Sequence, residues 1–68
     1  MNYVHTPTKR QLEVLQLAAD GLAAKEIARK MNISPQSVKN HLMTVRFILH
    51  AFNTTHAVSI AFRRGLIQ

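Results

Sequence analysis

Lys25-Glu26-Ile27-Ala28-Arg29-Lys30-Met31, then Asn32-Ile33-Ser34-Pro35, then Gln36 through His50, is the stretch that decides how this chain folds. Ile27, Ala28 and Met31 fall on one face of a short helix, a turn apart. Asn32 and Ile33 interrupt it, and Ile33 is apolar enough to plug the resulting corner. Ser34 is a good N-cap for a second helix. Pro35 takes that helix's first position, where a missing N–H is harmless. Val38, Leu42, Val45 and Leu49 recur at i, i+4, i+7 and i+11, which makes one apolar stripe for a core. The other face carries Lys39, Asn40, Met43, Arg46, Phe47 and His50. The expectation is a short helix, a tight turn and a longer helix reaching His50.

Upstream, Thr8 can cap a helix running from Lys9 to about Ala19. Leu12, Leu15, Ala19 and Leu22 share one face of it, and Val14 and Ala18 widen that face. Asp20-Gly21 stops it, since Gly21 accepts a positive φ. Ala23 and Ala24 are poor caps for the helix that follows. Downstream, the long helix is expected to fray through Ala51-Phe52-Asn53. Asn53, Thr54 or Thr55 then caps a fourth helix from His56 to Arg64. Ala57, Val58 and Ala61 form its narrow core stripe, with Ile60 and Phe62 at the edges. Gly65 ends it, and Leu66-Ile67 folds back onto the core. Residues 1–6 read as a mobile lead-in. The whole is an all-α, four-helix single domain over residues 1–68, with no room for a second.

Nine Lys and Arg stand against three acids, a formal net charge of +6. A small folded domain with that excess attracts polyanions, nucleic acid foremost. An anionic membrane surface is the rival for any basic amphipathic helix. No apolar run is long enough for a transmembrane span, and the start has no signal-peptide pattern, so the expected place is the cytoplasm, off the membrane. The absence of cysteine excludes disulfides and thiolate metal sites. Histidines 5, 41, 50 and 56 do not pair at i, i+4 on one helix, and no other ligand type joins them, so no metal is expected. There is no nucleophile beside a base, no carboxylate pair and no Gly-rich phosphate loop, so the chain reads as no enzyme, with no cofactor.

Basic and amide groups on the outer face of a helix-turn-helix suit a DNA major groove. Lys39 can donate to guanine O6 or N7, and Asn40 can pair bidentately with adenine N6 and N7. On an isolated amphipathic helix the same residues would read as a solvated face; the turn before them favours the groove. Met43 has two readings, against a thymine methyl or under a neighbouring domain. His41 either donates to a phosphate or sits half-buried at the helix edge. Lys25, beside a helix N-terminus, is read as a phosphate contact, as is Arg46; Arg29 and Lys30 stay open. Phe47, Ile48, Phe52, Ile60 and Phe62 are more apolar surface than one small domain hides, and those outside the core suggest a protein interface.

The chain resembles the LuxR-type, GerE-like DNA-binding domain. The matching residues are Thr8-Lys9-Arg10-Gln11-Leu12-Glu13-Val14-Leu15, Gly21, Lys25-Glu26-Ile27-Ala28, Ile33-Ser34 and Ser37-Val38-Lys39-Asn40-His41-Leu42. Val45, Leu49, Ala57-Val58, Ala61 and Gly65-Leu66-Ile67 complete the match. The resemblance implies four helices, with the third reading the major groove and the fourth forming a homodimer contact, here through Ile60, Phe62 and Arg63. It implies DNA contact at Lys39, Asn40 and Met43, with Thr8, Lys25 and Ser37 near phosphates. The family usually has Glu where this chain has Gln11, a capping Ser or Thr at Ala23, Lys at Ile48 and Arg at Thr54. The expected function is a sequence-specific transcription regulator that binds double-stranded DNA, with no sensing domain within this chain. A second reading is a protein-interaction module that binds a transcription regulator or polymerase subunit. A third is a piece of a sigma-factor-like region four; the ending Ala57-Val58, Ala61 and Gly65-Leu66-Ile67 argues against it.

Overall fold

A computed structural model describes residues 6–68. Four helices follow one another: α1 (Lys9–Ala19), α2 (Ala24–Met31), α3 (Pro35–Ile48) and α4 (Thr54–Arg63), with no strand among the described residues. The lead-in expected over residues 1–6 lies, apart from Thr6, outside the described residues, as does His5.

Each helix starts on a distinct local device. At α1, Thr8 Oγ1 accepts from the Gln11 N–H at 3.1 Å, and Gln11 Oε1 accepts from the Thr8 N–H at 2.8 Å. That is a complete capping box. The glutamine at position 11 thus makes the reciprocal bond that a glutamate would. At α2, Ala23 has no side-chain acceptor, so only half a box forms: Glu26 Oε1 accepts from the Ala23 N–H at 2.7 Å. At α3, Ser34 Oγ accepts from the Ser37 N–H at 3.0 Å, and Pro35 occupies the first turn. At α4, Asn53 Oδ1 accepts from the His56 N–H at 2.8 Å.

All four helices end in one motif. The residue after the last turn takes a positive φ: 95° at Gly21, 57° at Asn32, 56° at His50 and 72° at Gly65. The next residue's N–H then reaches back to a carbonyl five positions earlier, as Ile33 does to Ala28 at 3.0 Å and Leu66 to Ala61 at 2.8 Å. These are Schellman closures. At α3 the Ala51 N–H bonds the Arg46 carbonyl at 2.8 Å and the His50 N–H bonds that of Phe47 at 3.2 Å. The helix therefore closes at Ile48 instead of reaching His50 and fraying. The same closure frees Asn53 to cap, so α4 begins at Thr54 rather than His56.

The core has two halves. Leu15, Val45, Leu49, Ala57, Ala61 and Ile67 are buried together between α1, α3 and α4. Val14, Ile27, Ala28 and Val38 are buried between α1, α2 and α3. Leu42 packs against both halves, so α3 is the shared spine. Helices α2 and α4 do not meet. Because α1 faces neighbours on two sides, its fully buried pair is Val14 and Leu15, while Ala19, expected on the core face, is exposed. Ile48 and Ile60, expected at the surface or edge, are half-buried against the first cluster. Gln16 and Gln68 exchange two hydrogen bonds, of 2.7 and 2.8 Å, which hold the end of the described chain against α1.

Candidate nucleic-acid interface

Burial of Val38, Val45 and Leu49 fixes which way α3 faces. At about 100° per residue, the positions turned farthest from that stripe are Gln36, Asn40, Met43 and Phe47, another i, i+4, i+7, i+11 set. All of them are exposed, Met43 by 60% and Phe47 by 82%. Lys39 is exposed on the flank of this strip. The three predicted base readers, Lys39, Asn40 and Met43, are thus together on the first turns of α3. The acids Glu13, Asp20 and Glu26 all lie on other segments, so α3 carries no carboxylate to repel a phosphate.

The strip is internally tied. Gln36 Nε2 donates to Asn40 Oδ1 at 3.1 Å, and Thr44 Oγ1 donates to the Asn40 carbonyl at 3.0 Å. Gln36 was not singled out by reading the sequence, although its place four residues before Asn40 on an exposed face was signal enough.

The residues predicted to meet phosphates divide by exposure. Thr8 and Lys25 are exposed at the starts of α1 and α2, where the positive end of the helix dipole adds to their attraction for anions. The Thr8 hydroxyl spends a lone pair on the cap but keeps its proton to donate. Ser37 is half-buried, with its hydroxyl 2.9 Å from that of Ser34. His41 and Arg46 are half-buried on the flanks of α3, and the Arg46 Nε is closed off without a hydrogen-bond partner. On α4, Phe62 is 63% exposed and Arg63 is exposed, whereas Ile60 is half-buried against the core of its own chain. Among the described residues no three potential metal-ligating side chains gather, and no helix is long and apolar enough to cross a membrane.

A capped helix set by a tight turn across a shorter one, with polar and basic side chains exposed on its first turns, defines a DNA-binding helix-turn-helix domain of the transcription-regulator class. The chain belongs to the luxR family of bacterial regulatory proteins, whose family model matches residues 6–61. This is a family of regulators and not of enzymes. Over 61 residues, 90% of this chain, it is 43% identical to the uncharacterized transcriptional regulatory protein YxjL of Bacillus subtilis, covering 28% of that protein. It is 38% identical, again over 90% of this chain, to the response regulator protein VraR of Staphylococcus aureus, covering 29% of it. The chain therefore spans less than a third of these relatives. The solved structure of the transcription factor GerE superposes with a TM-score of 0.87 at 24% identity, covering 98% of this chain and 97% of that one. That likeness speaks for the fold.

Proposed function

We propose that this chain is the DNA-reading part of a sequence-specific transcription regulator, with α3 lying in the major groove. The observation that carries this reading is the acid-free strip of Lys39, Asn40 and Met43, exposed on the first turns of a firmly capped α3. Lys39 donates to a base edge, Asn40 donates to and accepts from one, and Met43 meets a thymine methyl. Thr8, Lys25, Ser37, His41 and Arg46 meet phosphates, which place the domain without specifying sequence. Two copies pair through α4 around Phe62 and Arg63, with Ile60 beneath, and read half-sites about one DNA turn, ~10 bp, apart.

The test starts by selecting preferred duplexes from a random library with the unaltered chain. Asn40→Ala is expected to cost about 1–3 kcal/mol on the selected duplex and little on random DNA, because a base contact discriminates. Lys25→Ala is expected to weaken both alike and to reduce the salt slope by about one unit, because one phosphate contact releases one counterion. Equal losses on both duplexes for Asn40→Ala would remove the case for base reading.

A second reading draws on the exposure of Phe47, Phe52 and Phe62, at 82, 86 and 63%. Three such aromatics on a small domain suit a protein partner, such as a transcription regulator or polymerase subunit. On that reading no duplex is preferred, and Asn40→Ala leaves DNA binding as weak as before.

A further inference from the structure

The Gln36–Asn40 hydrogen bond has a direction, and in a groove that direction carries sequence information. A primary amide is two-faced: the oxygen only accepts and the nitrogen only donates. An unrestrained Asn40 can turn about its last torsion and offer either face to a base edge, so it discriminates poorly. In this structure Gln36 Nε2 donates to Asn40 Oδ1 at 3.1 Å, one turn of α3 away. The Asn40 oxygen is thereby held toward the start of α3, and its NH2 is held away from it. Both residues are exposed, and α3 presents them on the same face. A glutamine–asparagine pair at i, i+4 is weak on an open helix surface. It strengthens where a docked groove expels water, because the competing water is gone.

We infer that Gln36 is a positioning residue that sets the base preference of Asn40 by fixing the orientation of its amide. The inference rests on the groove-reading function proposed above. With the oxygen held by Gln36 and its remaining lone pair turned to the groove, Asn40 accepts from one amino group and donates to one ring nitrogen. That is the donor–acceptor pair of an adenine edge. The two residues act as one reading unit.

The polarity is open to reversal by substitution. Gln36→Ala removes the restraint. Gln36→Lys keeps a donor facing the Asn40 oxygen. Gln36→Glu offers only acceptors, so Asn40 must turn its NH2 toward position 36 and its oxygen outward. Position 36 is exposed on a helix surface, and Ala, Lys and Glu are all good helix formers, so each variant folds.

The experiment measures base preference at every position of the duplex selected by the unaltered chain, for that chain and for Asn40→Ala, Gln36→Ala, Gln36→Lys and Gln36→Glu. The position whose preference collapses in Asn40→Ala is the one Asn40 reads, with discrimination expected at roughly 5- to 150-fold in the unaltered chain. At that position Gln36→Ala is expected to lower discrimination roughly 2- to 10-fold. Gln36→Lys is expected to retain it, and Gln36→Glu to move the preference from adenine toward cytosine, whose edge offers an amino donor with no ring-nitrogen acceptor beside it. Each preference is a ratio within one variant, so a general gain or loss of affinity from the added charge cancels. If Asn40→Ala collapses one position and Gln36→Ala leaves that position as it was, the positioning role is overturned while groove reading stands. If Gln36→Ala instead alters only a different position, Gln36 reads a base by itself and the inference is likewise overturned. If the unaltered chain selects no preferred duplex, groove reading fails and this inference fails with it.

Discussion

His50 stands at φ 56° with no glycine's freedom to do so, and it is what separates α3 from α4. An L-residue in the left-handed region carries roughly 1–2 kcal/mol of strain. Glycine at such a site loses roughly 0.5–1 kcal/mol of that advantage to its greater freedom when unfolded. His50→Gly is therefore expected to stabilise the domain by about 0.5–1 kcal/mol, raising Tm by about 2–8 °C in a protein of this size. A fall in Tm on thermal unfolding would show that the imidazole makes a compensating contact. The neighbouring His56 is engaged differently: its Nδ1 accepts from the Phe52 N–H at 3.0 Å, and its ring stacks on Phe52 at a centroid distance of 5.3 Å. The residue scale thus gives His50 and His56 each a local structural role, one closing α3 and the other receiving the Phe52 N–H at the start of α4.

Among the elements, α2 is the one with an incomplete start. Glu26 supplies its half of the capping box, but Ala23 cannot return the bond to the Glu26 N–H. Ala23→Ser supplies the missing acceptor and is expected to add about 1 kcal/mol. Hydrogen exchange should show the gain first in the amides of α2, with a smaller rise in Tm. Unchanged protection along α2 would mean that water already serves that N–H as well as a hydroxyl does. This helix also braces the turn before α3, through Ile27, Ala28 and the half-buried Ile33. A firmer α2 should leave the preferred duplex unchanged, because none of the proposed base readers lies on it.

For the whole molecule, the open matter is association. Ile60 is no clean probe of a dimer, since it packs partly into the core of its own chain and a charge there would disturb the fold. Phe62, 63% exposed on α4, touches the proposed contact with less structural consequence. Phe62→Glu is expected to convert a weak homodimer to a monomer with an unchanged helical circular-dichroism spectrum. It should also abolish the preference for paired half-sites while leaving single-half-site binding. Sedimentation that finds the unaltered chain monomeric at high concentration, both with and without DNA, would sink the dimer.

Local chemistry made most of the fold legible in the sequence. Thr8 and Ser34 cap where the sequence places them, Asn53 is the one of three candidates that caps α4, and Gly21 and Gly65 close helices where the sequence places them. Each of these devices acts over three to five residues and needs no distant partner. The stripe Val38, Leu42, Val45, Leu49 likewise fixed the outward face of α3, and with it Lys39, Asn40 and Met43, because helical periodicity leaves little choice. What the sequence left open depended on what lay across from each residue. Only packing of α1 between α2 and α4 decides that Val14 is buried and Ala19 is not. Only the approach of α3 and α4 over one cluster makes Ile48 and Ile60 partners of the core. His50 gave little sign of its left-handed turn, because a non-glycine residue seldom takes it; the next residue, Ala51, packs against the core and bonds back to the Arg46 carbonyl. The amide direction at Asn40 came last, since it depends on where two side chains actually point once the face has been set.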